Sequence, residues 1–397
     1  MPSVCLYFQM HQPLRLRRYS VFDTEPQYFD DTLNATVLKK VAVKCYDPAT
    51  KLMLDLVRRH KGLYRFSISI TGLLIEQLRQ HAPHVITTLQ KLAQTGCVEF
   101  LNETYHHSLA FLYSRSEFLQ QIDQHHAMIT DLFGQSPRVF RNTELIYSND
   151  LAQYLHETGR YHAVLAEGVD SLLAGRSPDQ PFHPPHVPGM TVLLRNYRLS
   201  DDIAFRFSNS SWPGYPLTAP TYAEWVGRLP GPVVNIFLDF ETFGEHQWAD
   251  TGIFSFLDVL PTAMLKTNCT FRTISEAVEA HKPAAEFDAP SVVSWADTER
   301  DLSAWLGNAM QSNAMHELYK LEATVRASGD PALLSDWRRL TVSDHVYYMC
   351  TKYYADGVVH SYFNPYESPY DSYINYMNVL DNLRSRIAAA QPTRAEV

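Results

Sequence analysis

The stretch VVNIFLDFETFGEHQW, residues 233–248, runs as apolar strand and then sets Asp239, Glu241, Glu245 and His246 within eight positions. Strand side chains alternate, so Asp239 and Glu241 are expected on one side and Phe240 on the other. Two carboxyl groups kept close in a partly dry pocket have their pKa values pushed apart, which lets one hold a proton near neutral pH. Taken alone, the pair reads first as a solvated acidic loop at a strand end. The same arrangement recurs along the chain, and that recurrence decides the fold.

Six further β-rich runs precede it: VCLYFQM (4–10), YRFSISI (64–70), CVEFL (97–101), RVFR (138–141), HAVLA (162–166) and TVLLR (191–195). Segments of helical periodicity separate most of them, at 49–60, 73–93, 116–133 and 149–159. Strand alternating with helix implies parallel strands joined by right-handed crossovers. Polar residues collect after the strands: His11-Gln12, then Asn102 to His107, Asn142-Thr143-Glu144, Glu167-Gly168, Asn196 to Asp202, and Asp239 to His246. A closed α/β barrel gathers its site from such C-terminal ends, so the pattern favours a barrel over an open sheet. No GxGxxG or GxxxxGK[ST] follows any strand, which argues against a dinucleotide or P-loop site.

From about Ser291 the strand signal fades, and residues 294–327, 331–354 and 368–390 read as three helices. Pro283 and Pro290 mark the border. The expected division is a catalytic (β/α)7 barrel over 1–290 and a helical domain over 291–390 that contributes to the groove.

The chain has 397 residues, a formal net charge of -9 and 45% apolar residues. It is therefore a folded, acidic protein, not a phosphate-backbone binder. Its five cysteines are scattered, with no CxxC, so neither a disulfide framework nor a cysteine-zinc site is expected and the cytoplasm is the expected location. There is no signal-peptide pattern and no apolar run of about 18 residues, so no membrane partner is expected.

Glu144 is the second carboxylate of interest, following a strand and preceding the helix start Ser148-Asn149-Asp150. Its plain alternative is a loop glutamate paired with Arg141. Across a barrel mouth, Glu144 and Asp239 supply the two carboxyl groups that glycoside hydrolysis needs. Sugar rings also stack on flat side chains, for which Trp212, Trp248, Tyr105 and Tyr147 are the nearest candidates, while Trp305 and Trp337 sit in helical segments and read as packing. His11, His106, His107, His246 and His345 offer a rival metal reading, with zinc the expected ion, but no HExxH pair is present. His60, His125 and His126 fall in helical segments and read as surface residues.

As an ordered set these stretches resemble glycoside hydrolase family 57, a retaining α-glucan-active family. His11-Gln12-Pro13, GCVEFLNETYHHSL (96–109), FRNTELIYSND (140–150), FLDFETFGEHQW (237–248) and SDHVYYMCTKYY (343–354) are similar to its five conserved regions in order. The last resembles its archaeal-type α-amylase branch. The resemblance implies an incomplete (β/α)7 barrel followed by a helical bundle, no cofactor and no catalytic metal. It places Glu144 as nucleophile and Asp239 as acid/base. His11, Glu241 and His246 are expected to bind the sugar at the scissile bond, joined by Gln12, His106, His107, Phe243, Trp248, Asp344 and His345. The expected substrate is an α-1,4-glucan or maltooligosaccharide. Three alternatives stay open: a glucanotransferase or branching enzyme of the same family, a metal-dependent polysaccharide deacetylase-like enzyme, and a noncatalytic glucan-binding protein.

Overall fold

The computed structural model describes residues 2–352 and 364–390. All seven expected runs form strands: β1 (Ser3–Met10), β2 (Phe66–Ile70), β3 (Val98–Phe100), β4 (Val139–Arg141), β5 (Ala163–Glu167), β7 (Thr191–Arg195) and β8 (Val233–Asp239). Three two-residue strands were not expected: β6 (Phe182–His183), β9 (Thr270–Phe271) and β10 (Ala285–Glu286). Such short pairings leave almost no periodicity to read.

One parallel sheet has the order β3-β2-β1-β8, with β9 also pairing with the start of β1. The other has the order β10-β6-β7-β5-β4, parallel except where β6 meets β7. Two links connect the sheets. Asn102, just beyond β3, bridges to Phe140 in β4. On the other side Asn196 N donates to Asn235 O at 2.9 Å, and Asn235 Nδ2 donates to Leu194 O at 3.0 Å. Strands β4, β5, β7 and β8 are buried at nearly every position, as expected where helices cover parallel strands.

The helices follow the apolar periodicity closely in the first part of the chain. Asp47–Arg59, Gly72–His81, Pro83–Gln94, Arg115–Phe133 and Asn149–Glu157 occupy the expected segments. Ser148 caps the last of these by accepting from Leu151 N. Contrary to the surface reading, His125 is fully buried. Its Nδ1 meets Asn102 Oδ1 at 2.6 Å and its Nε2 meets Ile70 O at 2.8 Å, so it ties a helix to the ends of β2 and β3.

Beyond residue 290 the expected helices are corrected. Residues 294–302 form a loop in which Asp297 and Arg300 take left-handed backbone angles, not the first turns of a long helix. Val293 pairs with Tyr147, which holds this loop against the β4 end of the sheet. Helices follow at Ser303–Leu306, Ala309–Lys320, Glu322–Ala327, Pro331–Leu340, Ser343–Tyr347 and Pro369–Ala390. Breaks fall at Asn308, whose side chain and that of Gln311 form a capping box, and at Asp330-Pro331, where Asp330 caps a proline-started helix. Trp305 and Trp337 are buried in an apolar cluster that also takes in Leu16, Tyr19, Tyr28 and Phe29 from the N-terminal region; Trp337 is packing as expected, while Trp305 also reaches a cavity wall. Residues 353, 354 and 360–363 of the tyrosine-rich stretches lie outside the described residues. Among the described residues no helix is long and apolar enough to cross a membrane.

Candidate active site

A cavity of about 570 Å³ opens where the C-terminal ends of the strands meet the loop at 294–302 and the helix Ser343–Tyr347. Of the residues expected at a site, His11, Gln12, His107, Glu144, Asp239, Glu241, His246 and Asp344 line it. Four do not. His106 is buried away from it, and Phe243 packs on Phe8 with ring centroids 5.8 Å apart. His345 is buried 5.6 Å from the Tyr376 ring, and Trp248 is 52% exposed with Lys44 over its face. Residues next to a site residue in sequence need not share its direction, since the chain has left the strand. None of Trp212, Tyr105 and Tyr147 lines the cavity; Trp295, Trp305, Tyr347, Tyr348 and Phe205 supply its aromatic surface.

Glu144 sits in a tight turn after β4 with φ 57° and ψ 26°, and Leu145 follows with φ 51°. Two successive left-handed non-glycine residues are costly, at about 1–3 kcal/mol each, and persist only where neighbours fix them. Here Leu145 N donates to Asn142 O, Asn142 Nδ2 donates to Ile146 O, and Trp295 N donates to Glu144 O at 3.2 Å. The turn therefore presents the Glu144 side chain to the cavity. Its Oε1 lies 2.9 Å from His107 Nε2, and its Oε2 accepts from Trp295 Nε1 at 2.7 Å.

His107, itself at φ 50°, has Nδ1 3.6 Å from Glu103 Oε2. Burial opposes its protonation, yet the Glu103 and Glu144 carboxylates on its two sides win and push its pKa up to about 9. It is an imidazolium at neutral pH. Burial raises the Glu144 carboxyl, but His107, with Arg141 and Trp295, holds it below its ordinary value. Glu144 is thus an ionised carboxylate whose two oxygens are both oriented.

Asp239 ends β8 directly beside Gln9 of β1, and Glu241 follows in a short turn while Phe240 enters the core. Burial, then the charge of Glu144, pushes Asp239 up to about 6. Burial, then Asp239, pushes Glu241 up to about 8. Glu241 Oε1 accepts from His11 N at 3.3 Å and from the Tyr46 hydroxyl. The cavity thus holds one carboxyl kept ionised and another kept protonated into the mildly acidic range. Such opposed preferences suit one group to give a proton and the other to stay charged.

His11 stacks on His107 with ring centroids 4.0 Å apart. Burial and the His107 charge hold its pKa down, so the ring is neutral. Its Nε2–H then donates to Asp344 Oδ2 at 3.1 Å, and Nδ1 accepts from the Thr71 hydroxyl at 3.0 Å. The ligand-type atoms of His11, His107 and Asp344 come within 4.8 Å of one another, close enough on distance for a cation. The arrangement is a poor cage for one: the two rings are stacked rather than converging, and each Nε2 already faces a carboxylate, Asp344 for His11 and Glu144 for His107.

Several lining residues escaped the sequence reading. Arg195 closes β7, with its Nη1 3.1 Å from Glu167 Oε2 and its Nη2 2.6 Å from Asp201 Oδ1. Arg300 Nη1 reaches the same Glu167 oxygen at 2.7 Å. Arg141 closes β4. A cation ending an apolar run was a legible signal for both strand-end arginines. Trp295 and Arg300 carried none, because their segment has helical spacing.

The glycosyl hydrolase family 57 model matches residues 5–290. A putative alpha-amylase of Methanocaldococcus jannaschii is 40% identical over 388 residues, which span 94% of this chain and 82% of that protein. The structure of a family 57-type branching enzyme from Pyrococcus horikoshii superposes with a TM-score of 0.71 at 13% identity, covering 96% of this chain and 88% of that one. A family 57 branching enzyme from Thermococcus kodakaraensis gives a TM-score of 0.69 at 14% identity over 98% and 90% of the two chains. At these identities the two structures speak to the fold alone. The chain belongs to glycosyl hydrolase family 57.

Proposed function

We propose that this family 57 glycosyl hydrolase cleaves α-1,4-linked glucans with retention of configuration, with Glu144 as nucleophile and Asp239 as acid/base. One observation carries the reading: both carboxyl groups line one cavity with opposite ionisation preferences, Glu144 held below the ordinary value and Asp239 raised to about 6. The likeness to a protein named a putative alpha-amylase supports the substrate class.

In the first step a Glu144 oxygen bonds to the anomeric carbon as the C1–O bond breaks, and Asp239 gives its proton to the departing oxygen. In the second, water attacks C1, its proton returns to Asp239, and the bond to Glu144 opens. His107 and Trp295 keep the carboxylate aimed, one donor to each oxygen. His11, Gln12, Glu241, His246 and Asp344 are assigned to the sugar hydroxyls, and Trp305, Tyr347 and Tyr348 to its apolar face.

The ring of seven strands, closed by the Asn102 bridge and the Asn235 bonds, is read as the incomplete (β/α)7 barrel of residues 1–290. Residues 291–390 are read as a helical domain that completes the groove through Trp295, Asp344, Tyr347 and Tyr348. The cytoplasmic reading rests on five cysteines that are free and buried.

Products of purified protein on maltooligosaccharides, followed by proton NMR of the newly formed anomer, test this reading. Shorter products appearing first as the α-anomer are expected. Initial β-anomer, or no turnover of any α-glucan, would contradict it, and longer products would move the assignment to transfer.

A further inference from the structure

Arg141 is fully buried at the end of β4 and lines the cavity that holds Glu144 and Asp239. None of its three guanidinium nitrogens has a hydrogen-bond partner among the described residues. The other arginines on the cavity wall are engaged. Arg15 donates to Pro13 O and Gln12, Arg195 to Phe237 O, Glu167 and Asp201, Arg206 to Asp202 and Arg198 O, and Arg300 to Glu167. Arg141 is instead held by packing: its guanidinium carbon lies 4.9 Å from the centroid of the Trp295 indole, the ring that donates to Glu144.

A buried cation with unused donors is costly to keep, so an acceptor that arises beside it during turnover is strongly favoured. The proposed chemistry creates one acceptor in this cavity, the Asp239 carboxylate. We infer that Arg141 is a positioning residue for Asp239, its idle guanidinium donors receiving the charge left there once the proton has gone to the leaving oxygen. The inference rests on the acid/base reading of Asp239. The step balances: the glycosidic oxygen leaves as a neutral hydroxyl, Glu144 becomes a glycosyl ester, and the negative charge that sat on Glu144 now sits on Asp239, which shares the cavity with Arg141 and feels its charge. The second step returns a proton from water to Asp239 and frees the guanidinium again.

Electrostatics run the same way. Asp239 is faced by Glu144, Arg141, Arg195 and His107, and its charge in turn reaches Glu241. Among the cations facing Asp239, Arg141 is the strongest in opposing the upward push of burial and Glu144. It also helps hold Glu144 down, after His107. Removing the cation therefore raises both carboxyl groups. Activity that needs Glu144 ionised and Asp239 protonated then shifts to higher pH on both limbs.

The test compares Arg141→Met and Arg141→Lys with the unmodified protein on maltoheptaose and on an α-maltosyl fluoride, whose fluoride departs without needing a proton. For Arg141→Met, kcat/KM on maltoheptaose is expected to fall about 10²-fold, the lower range for a general-acid contribution. On the fluoride it should stay within about threefold, since the acid's share is absent there. Both limbs of the maltoheptaose pH profile should move up, and Arg141→Lys should bring them back. Equal losses on the two substrates with unmoved limbs would overturn the inference. Should the methionine variant not fold, Arg141→Gln gives the same readout. Asp239→Asn run alongside separates the two claims. If it spares the fluoride while the arginine variants do not, the inference alone falls; if it loses both substrates alike, the acid assignment falls and the inference with it.

Discussion

Glu144→Gln is expected to lose at least about 10⁴-fold in kcat on maltooligosaccharides, because the covalent route is removed from a catalyst whose total acceleration is on the order of 10⁶ or more. The change is nearly isosteric, so the fold should persist. Trp295 Nε1 and His107 Nε2 both point at this carboxylate, and one of them then faces an amide nitrogen instead of an oxygen. His107 also loses one of the two anions that keep it protonated, so its pKa should drop from about 9. Steady-state kinetics together with an NMR titration of His107 check both parts. Full activity in Glu144→Gln would remove the nucleophile from the account.

Asp239→Asn is expected to show a loss that depends on the leaving group. General-acid contributions run to about 10²–10⁴-fold, and that range is expected for kcat/KM on maltooligosaccharides, whose leaving oxygen needs a proton. The pH profile gives the second readout. Asp239 works as an acid only while protonated, so activity should fall as pH rises through about 6, while the acid limb lies below the ordinary range for a glutamate because Glu144 is held down. In Asp239→Asn the limb near pH 6 should disappear. Glu241, raised to about 8, is the built-in competitor for the acid role. A basic limb that survives in Asp239→Asn and vanishes in Glu241→Gln would transfer the role to Glu241.

The seven strands were legible because each is a short β-rich run cut off by polar residues, and because polar side chains follow so many of them. Asp239, Glu144, His11 and His107 could be found from that rule alone. The loop at 294–302 could not. Its tryptophan, leucine and charges recur at helical intervals, and what prevents a helix is tertiary: the Tyr147–Val293 pairing, the Trp295 bond to Glu144, and the Glu167 carboxylate that draws in Arg300. Those contacts join residues about 130 to 150 positions apart in the chain, beyond the reach of any local pattern. The same limit explains Phe243, Trp248 and His345. Each lies within two positions of a cavity residue in sequence, but the chain there has turned out of the strand or lies in a helix: Phe243 and His345 pack into the interior, and Trp248 faces solvent under Lys44. His125 failed in the opposite sense, since a polar side chain on a helix is read as exposed until Asn102 and Ile70 are seen to supply its partners.

The central claim is a covalent bond between Glu144 and a glucosyl C1. Incubation with a 5-fluoro-α-glucosyl fluoride, followed by proteolysis and mass spectrometry, reads it directly. The account predicts a single added fluoroglucosyl group on the peptide that carries Glu144, absent from Glu144→Gln. A label on any other carboxylate, or turnover with inversion and no labelled peptide, would contradict it.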